Sequence, residues 1–166
     1  VGADGLVEGV LGDYLAPGSV GTPPQDDLRI ASSCYLVRGL AQAADLLEGD
    51  RSRAADVARF REAAQTMTRA INDTFLDEGE GCYRSEREPR YRQTSNILPL
   101  AFGLTPEPMV PRVVDRLVRE IRAHGGRHDA GCLGLSELFE VLTVNGNADL
   151  ALEVATGRVA PSWGAW

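Results

Sequence analysis

The most regular apolar run in the chain is Val57, Phe60, Ala64, Met67, Ile71 and Phe75, which steps by three or four and predicts an amphipathic helix. Upstream, Leu28, Ala31, Tyr35, Leu40, Ala43, Ala44 and Leu47 recur at the same spacing. They lie between Thr22-Pro23, an N-cap followed by a proline suited to the first helical position, and Gly49-Asp50, which closes the element. A third helix is predicted from about Thr94 to Leu104, with Pro99 expected in or near its first turn, where a missing N–H is tolerated. The fourth carries Val113, Val114, Leu117, Val118 and Ile121 behind Pro111. A fifth follows the Gly-rich segment 125–134 with Leu138, Phe139 and Leu142, and a sixth, capped by Asn147, carries Leu150, Ala151, Val154 and Ala155. Residues 1–21, rich in Gly and Asp, and the charged stretch 77–92 are too polar and glycine-rich for helix and read as irregular.

The six helices pair into three hairpins. Turns within a pair are short, such as Glu48-Gly49-Asp50 and Asn145-Gly146-Asn147, whereas the connections between pairs are long. Loops that are long on one side only predict a helical toroid with its working face there. A tetratricopeptide-type solenoid needs a fixed repeat period, and the unequal pairs show none.

Composition narrows the classes of function. With 166 residues, 43% of them hydrophobic, the chain is long enough for one domain with a real core, and its apolar runs are too short to span a bilayer. A net charge of −7, with acidic residues spread along the chain, argues against nucleic acid and anionic membrane partners. All 17 basic residues are Arg, which fits the codon usage of a GC-rich genome.

Cys34, Cys82 and Cys132 are odd in number and form no Cys-x-x-Cys pair, so a zinc ribbon or thioredoxin-type site is excluded. As free thiols they favour a reducing compartment such as the cytoplasm. His124, His128 and Cys132 are four apart and would converge like metal ligands on a continuous helix, but Gly125-Gly126 interrupts it, and no metal site is expected. Glu137 and Glu140 read as a solvated helix face, since carboxylates on one helix cannot flank a bond from opposite sides. Glu86–Arg92 reads as a solvated loop.

The chain starts at Val1, with no initiator Met, and stops at Trp166 on two aromatics in a Gly-rich turn. Domain ends are normally polar and loosely held, so the expectation is an internal piece of a longer protein.

Several segments together resemble one family. Gly12-Asp13-Tyr14-Leu15-Ala16-Pro17 is similar to the Gly-Asp-Trp-Leu-Ala-Pro loop of bacterial α-L-rhamnosidases of glycoside hydrolase family 78. Thr22-Pro23-Pro24 with Tyr35, Gln93-Thr94-Ser95 leading to Ala101-Phe102-Gly103-Leu104-Thr105-Pro106, and the 125–134 segment before Leu138-Phe139-Glu140-Val141-Leu142 fit the same order. So do Asn145-Gly146, Ala148-Asp149-Leu150-Ala151 and Pro161-Ser162-Trp163-Gly164. No one motif is specific; their order and spacing over nearly the whole chain are.

The resemblance implies an all-α, partial (α/α)6 toroid of about three hairpins, with residues 1–166 as the C-terminal half of the catalytic barrel. It also implies an inverting hydrolase that removes terminal α-L-rhamnose without metal or organic cofactor. In such a mechanism one carboxylic acid protonates the leaving oxygen and a carboxylate across the bond activates water. The family's general acid lies in an Asp-Glu-Arg-x-Gly-Trp segment, absent from this chain, and its general base is a Glu shortly past the Ser-Trp-Gly turn, beyond Trp166. Both are expected outside these residues, so the catalytic groups are unknown here and the isolated chain is expected to be inactive. What remains is the wall of the sugar pocket: Asp13, Tyr14, His128, Asp129 and Trp163.

Each of these has a plainer reading. Asp13 can be a turn residue bonding its own backbone. Tyr14 and Trp163 can be aromatics packed under loops. His128 stands one place after the family's usual His, which falls at Arg127. Two other functions compete with the rhamnosidase: a different (α/α)6 carbohydrate enzyme, and a non-catalytic helical scaffold for a protein partner. Flanking sequence containing the two carboxylate segments separates them.

Overall fold

The computed structural model describes residues 1–9, 12–17, 27–88, 90–160 and 162. Six helices follow in order: α1 (Leu28–Leu47), α2 (Ala54–Phe75), α3 (Gln93–Ala101), α4 (Val110–Ala123), α5 (Cys132–Val144) and α6 (Ala148–Thr156). They form the three expected hairpins, α1–α2, α3–α4 and α5–α6. Helix α3 also packs against α1 and α5, so α1, α3 and α5 stand side by side in one layer and their partners back them in a second. Alternation between two layers is the arrangement of a helical toroid.

Two apolar clusters meet at α3. Leu98 joins Cys34, Ile71, Phe75, Tyr83 and Val113, while its neighbour Ile97 joins Leu117, Ile121, Leu138, Leu142 and Leu150. A nine-residue helix with apolar side chains on two faces is thus the shared wall of both halves. The α2 stripe buries Ala64, Met67, Ile71 and Phe75 as its spacing predicts.

Several expectations need correction. Helix α1 starts at Leu28, with Asp27 as its N-cap, its carboxylate accepting from Arg29 N at 3.1 Å. The expected Thr22-Pro23 start lies outside the described residues. The buried face of α1 runs through Ile30, Ala31, Cys34, Val37 and Ala44; of the expected stripe Ala31 and Ala44 are buried, while Leu28, Tyr35, Leu40, Ala43 and Leu47 are half-buried. A helix apolar nearly all round does not reveal its core side by spacing.

Pro99 sits in the last turn of α3, not the first. Its missing N–H forfeits one ladder bond, and its carbonyl accepts from Leu104 N at 2.8 Å and Thr105 N at 3.3 Å. Helix α5 begins inside the Gly-rich segment, at Cys132. Asn147 occupies the N-cap of α6, but its side chain donates to Asn145 O at 2.9 Å instead of capping.

The stretch 77–92 is more ordered than its polarity suggests. Strands β1 (Leu76–Asp77) and β2 (Cys82–Tyr83) pair antiparallel, Leu76 opposite Tyr83. The Asn96 amide of α3 serves β2 as a neighbouring strand would: Oδ1 accepts from Tyr83 N at 2.7 Å and Nδ2 donates to Tyr83 O at 3.1 Å. Tyr83 is fully buried, its hydroxyl donating to Asn72 Oδ1 at 2.6 Å. Within Glu86–Arg92 the expected solvation fails at Glu88, which is buried and paired with Arg90 at 2.8 Å. Glu137 likewise lies in a tie between two helices of one layer, paired from α5 with Arg38 of α1 at 2.9 Å.

Candidate functional site

The long connections gather where α3 and α5 begin. Glu8 pairs with Arg87 at 2.9 Å, Arg92 with Asp129 at 3.4 Å, and Arg127 Nη1 donates to Ala160 O at 3.1 Å. Residues 1–9, 85–88, 90–92, 125–131 and 157–160 are thereby tied to one end of the helix layer, as the one-sided loops predict.

At the centre stands Asp13, only 2% exposed. Oδ2 accepts from Gly131 N at 2.6 Å and from the Thr94 hydroxyl, and Oδ1 accepts from Leu133 N at 2.9 Å and Gly134 N at 3.2 Å. The carboxylate therefore satisfies the orphan N–H groups that open α5 while holding the first turn of α3. The backbone adds a rung, Cys132 N donating to Tyr14 O at 2.7 Å. Both glycines in this contact are required: a Cβ on Gly131 would overlap the carbonyl oxygens of Asp13 and Tyr14, and one on Gly134 the Thr94 hydroxyl. Asp13 is thus not the self-bonded turn residue of the plainer reading.

Tyr14 and Leu15 point outward from this anchor, 36% and 71% exposed. Leu15 has φ +62°, and it is the non-glycine residue with positive φ among the described residues. A branched side chain in that region costs roughly 1–2 kcal/mol and persists only where the surroundings over-determine the backbone.

Beside the clamp, Asp129 accepts from Gln93 N at 3.1 Å and faces Arg92. Burial pushes its carboxyl above the ordinary range; Arg92 and the Gln93 N–H oppose the shift, and the nearby Asp13 charge adds to it. Gln93 is fully buried, with Nε2 donating to Arg127 O at 3.3 Å, and its Oε1, like Ser162 Oγ, has no hydrogen-bond partner among the described residues. His128 is half-buried and its Nδ1 lies 3.0 Å from Ala130 O. Trp163 lies outside the described residues.

The structure thus brings Asp13, Tyr14, His128 and Asp129 into one neighbourhood. Sequence reasoning did not single out Thr94, Gln93 or Gly131 as parts of it. Their one signal was the Gln93-Thr94 pair opening a helix. His124 closes α4, His128 is in the loop and Cys132 opens α5, so these three do not share a helix. Among the described residues no group of three or more His, Cys, Asp or Glu is placed to hold a metal ion, and no helix is long and apolar enough to cross a membrane.

Two layers of alternating helices, with polar loops collected over one end, define a part of an α/α barrel of the six-hairpin glycosidase kind. Residues 2–166 match the bacterial alpha-L-rhamnosidase 6 hairpin glycosidase domain, and the chain belongs to that family. An alpha-L-rhamnosidase of Formosa agariphila is 27% identical over 97% of this chain and 17% of its own length. One from Streptomyces avermitilis is 28% identical over 98% of this chain and 15% of its own length. The solved alpha-L-rhamnosidase from Dictyoglumus thermophilum superposes with a TM-score of 0.87 at 28% identity, over 98% of this chain and 18% of that one. The chain thus spans about one sixth of the length of the curated relatives it matches.

Proposed function

We propose that this chain is the C-terminal half of the (α/α)6 catalytic barrel of an inverting glycoside hydrolase that removes terminal α-L-rhamnose from glycosides or polysaccharides. The observation that carries the reading is family membership over nearly the whole chain. The general acid and base come from segments before and after these residues, and this chain supplies a wall of the sugar pocket. Tyr14 offers an aromatic face for C–H stacking, with Trp163 as a second, while His128 and Asp129 face the sugar hydroxyls.

The remainder of the same barrel is the proposed partner of α1. Leu36, Gly39, Ala43 and Leu46 follow one another at helical spacing, and Leu46 is 86% exposed. A Cβ at Gly39 would meet nothing within 4 Å. Glycine inside a helix costs about 1 kcal/mol relative to alanine, and close approach of another helix is what accounts for it. The free thiols of Cys34, Cys82 and Cys132 support a reducing compartment, the cytoplasm, as the protein's location.

The test is hydrolysis of 4-nitrophenyl α-L-rhamnoside by the complete polypeptide and by residues 1–166 alone. The complete protein is expected to release the sugar with inverted anomeric configuration, read by NMR at early times, and the isolated chain to show no turnover. Retention of configuration, or turnover that tracks with the isolated chain, overturns the proposal.

A further inference from the structure

We infer that Asp13 is a positioning residue of the sugar site: it acts by aiming Tyr14, not by touching the sugar. The inference rests on the reading of Tyr14 as part of the sugar pocket.

A carboxylate has about four acceptor positions. Those of Asp13 are taken by Gly131 N, Leu133 N, Gly134 N and the Thr94 hydroxyl, and the side chain is 2% exposed. No acceptor is left for a sugar hydroxyl, and no path leads to one. The four donors belong to two helices that are distant in sequence, so one side chain fixes the loop 12–17 to α3 and α5 together. The next residue in the loop is Tyr14, whose carbonyl is held by Cys132 N and whose ring is turned outward. Leu15 then follows in the left-handed region, which reverses the chain directly after the ring. A short segment fixed on one side by five hydrogen bonds and on the other by an unfavourable backbone has little freedom to re-aim its exposed ring. Recognition groups must be held within a fraction of an ångström by supporting contacts, and Asp13 supplies them for Tyr14.

The experiment is a double-mutant cycle in the complete polypeptide with Asp13→Asn, Tyr14→Ala and the pair. The inhibition constant of free L-rhamnose and kcat/KM on 4-nitrophenyl α-L-rhamnoside are measured together with the unfolding midpoint. Tyr14→Ala is expected to weaken rhamnose by about two- to tenfold, the range of an aromatic stacking contact. Asp13→Asn retains one acceptor oxygen and is expected to give the same weakening, with the pair no worse than Tyr14→Ala alone. Thr94→Val removes one donor of the four and keeps the inference testable where Asp13→Asn fails to fold; it too is expected to leave the Tyr14→Ala background unchanged.

An additive cycle overturns the inference in favour of direct contact between Asp13 and the sugar. A lowered unfolding midpoint with unchanged rhamnose affinity overturns it in favour of a purely structural cap. If Tyr14→Ala itself changes neither constant, the reading of the sugar pocket fails first, and the inference with it.

Discussion

Two aspartates, each beside an arginine, sit in loops at the same end of the helix layer and titrate in opposite directions. Asp27 caps α1, with its side chain 2% exposed. Burial raises its carboxyl, but the Arg29 guanidinium at 2.6 Å, the Ser85 hydroxyl at 2.6 Å and the Arg29 N–H outweigh burial and hold it below the ordinary range. Asp129 is pushed up because burial outweighs its partners: Arg92 approaches only to 3.4 Å and one backbone N–H is its closest donor. The sign is set by the balance of burial against the number and proximity of donors. The Asp27 network, which ties residues 1–9, α1 and the 85–88 turn together, is completed. The Asp129 site leaves acceptor capacity unused among the described residues, and a buried carboxyl with a raised pKa in a loop cluster is a candidate functional group.

The largest effect is expected from Arg29→Ala. Arg29 makes a forked contact with Asp27, reaches Asp4 at 2.8 Å and lies over the Phe75 ring at 5.3 Å. Removing it leaves a buried carboxylate with only the more distant Arg87 guanidinium, at 4.0 Å, among the described residues, a change that costs about 3–5 kcal/mol. Denaturant unfolding of the complete protein measures it. A loss below about 1 kcal/mol would mean that the network is solvated in the assembled protein, and the contrast with Asp129 would collapse.

How much of this was legible in the sequence follows from what each feature depends on. The α2 face was legible because Ala64, Met67, Ile71 and Phe75 are read from one helix's own period. The α1 face was not, since apolar residues surround that helix and only its neighbours decide which side is buried. Pro99 was misplaced because a proline rule locates the first turn well but is silent about a helix that stops two residues later. The largest gap is at the site. Asp13 reaches Gly131 across 118 positions, and Asn96 serves as a strand partner for Tyr83. Neither pairing leaves a local pattern. The family resemblance located the loop at Asp13 and Tyr14, but which of the two is buried and which exposed came only with the fold.

A smaller effect is expected from Ser85→Ala. The Ser85 hydroxyl donates to Asp27 and also accepts from Arg87 N at 3.1 Å. Loss of a hydrogen bond to a charged group costs about 1.5–3 kcal/mol, and the lower end applies here because the Arg29 contacts persist. The Asp27 carboxyl then rises toward its ordinary value. Because its folded value is depressed, Asp27 stabilises the protein above its unfolded pKa, about 4, and loses that contribution as pH falls through the folded value. In the variant the acid-unfolding midpoint therefore moves to higher pH. A loss of stability equal at every pH, instead of one that shrinks as pH falls below about 4, would show that Ser85 acts by packing and not on the Asp27 charge.

Asp129→Asn is expected to change stability least, by less than about 1 kcal/mol at neutral pH, since Asn keeps an oxygen for Gln93 N and no longer has a charge to bury. Its signature is in the slope. A carboxyl whose folded pKa is raised binds more protons folded than unfolded, so its contribution to stability falls as pH rises from about 4 through the folded value, opposite in sign to Asp27. Replacing it with Asn removes that falling limb and leaves the rising limb of Asp27 intact. Unfolding free energies between pH 3 and about pH 7, with wild type and variant compared at each point, isolate the two limbs. The same variant is expected to weaken L-rhamnose if Asp129 faces the sugar, so stability and affinity part company at this residue. A loss of several kcal/mol without any change in rhamnose affinity would make Asp129 a second structural carboxylate, held by Arg92 as Asp27 is held by Arg29.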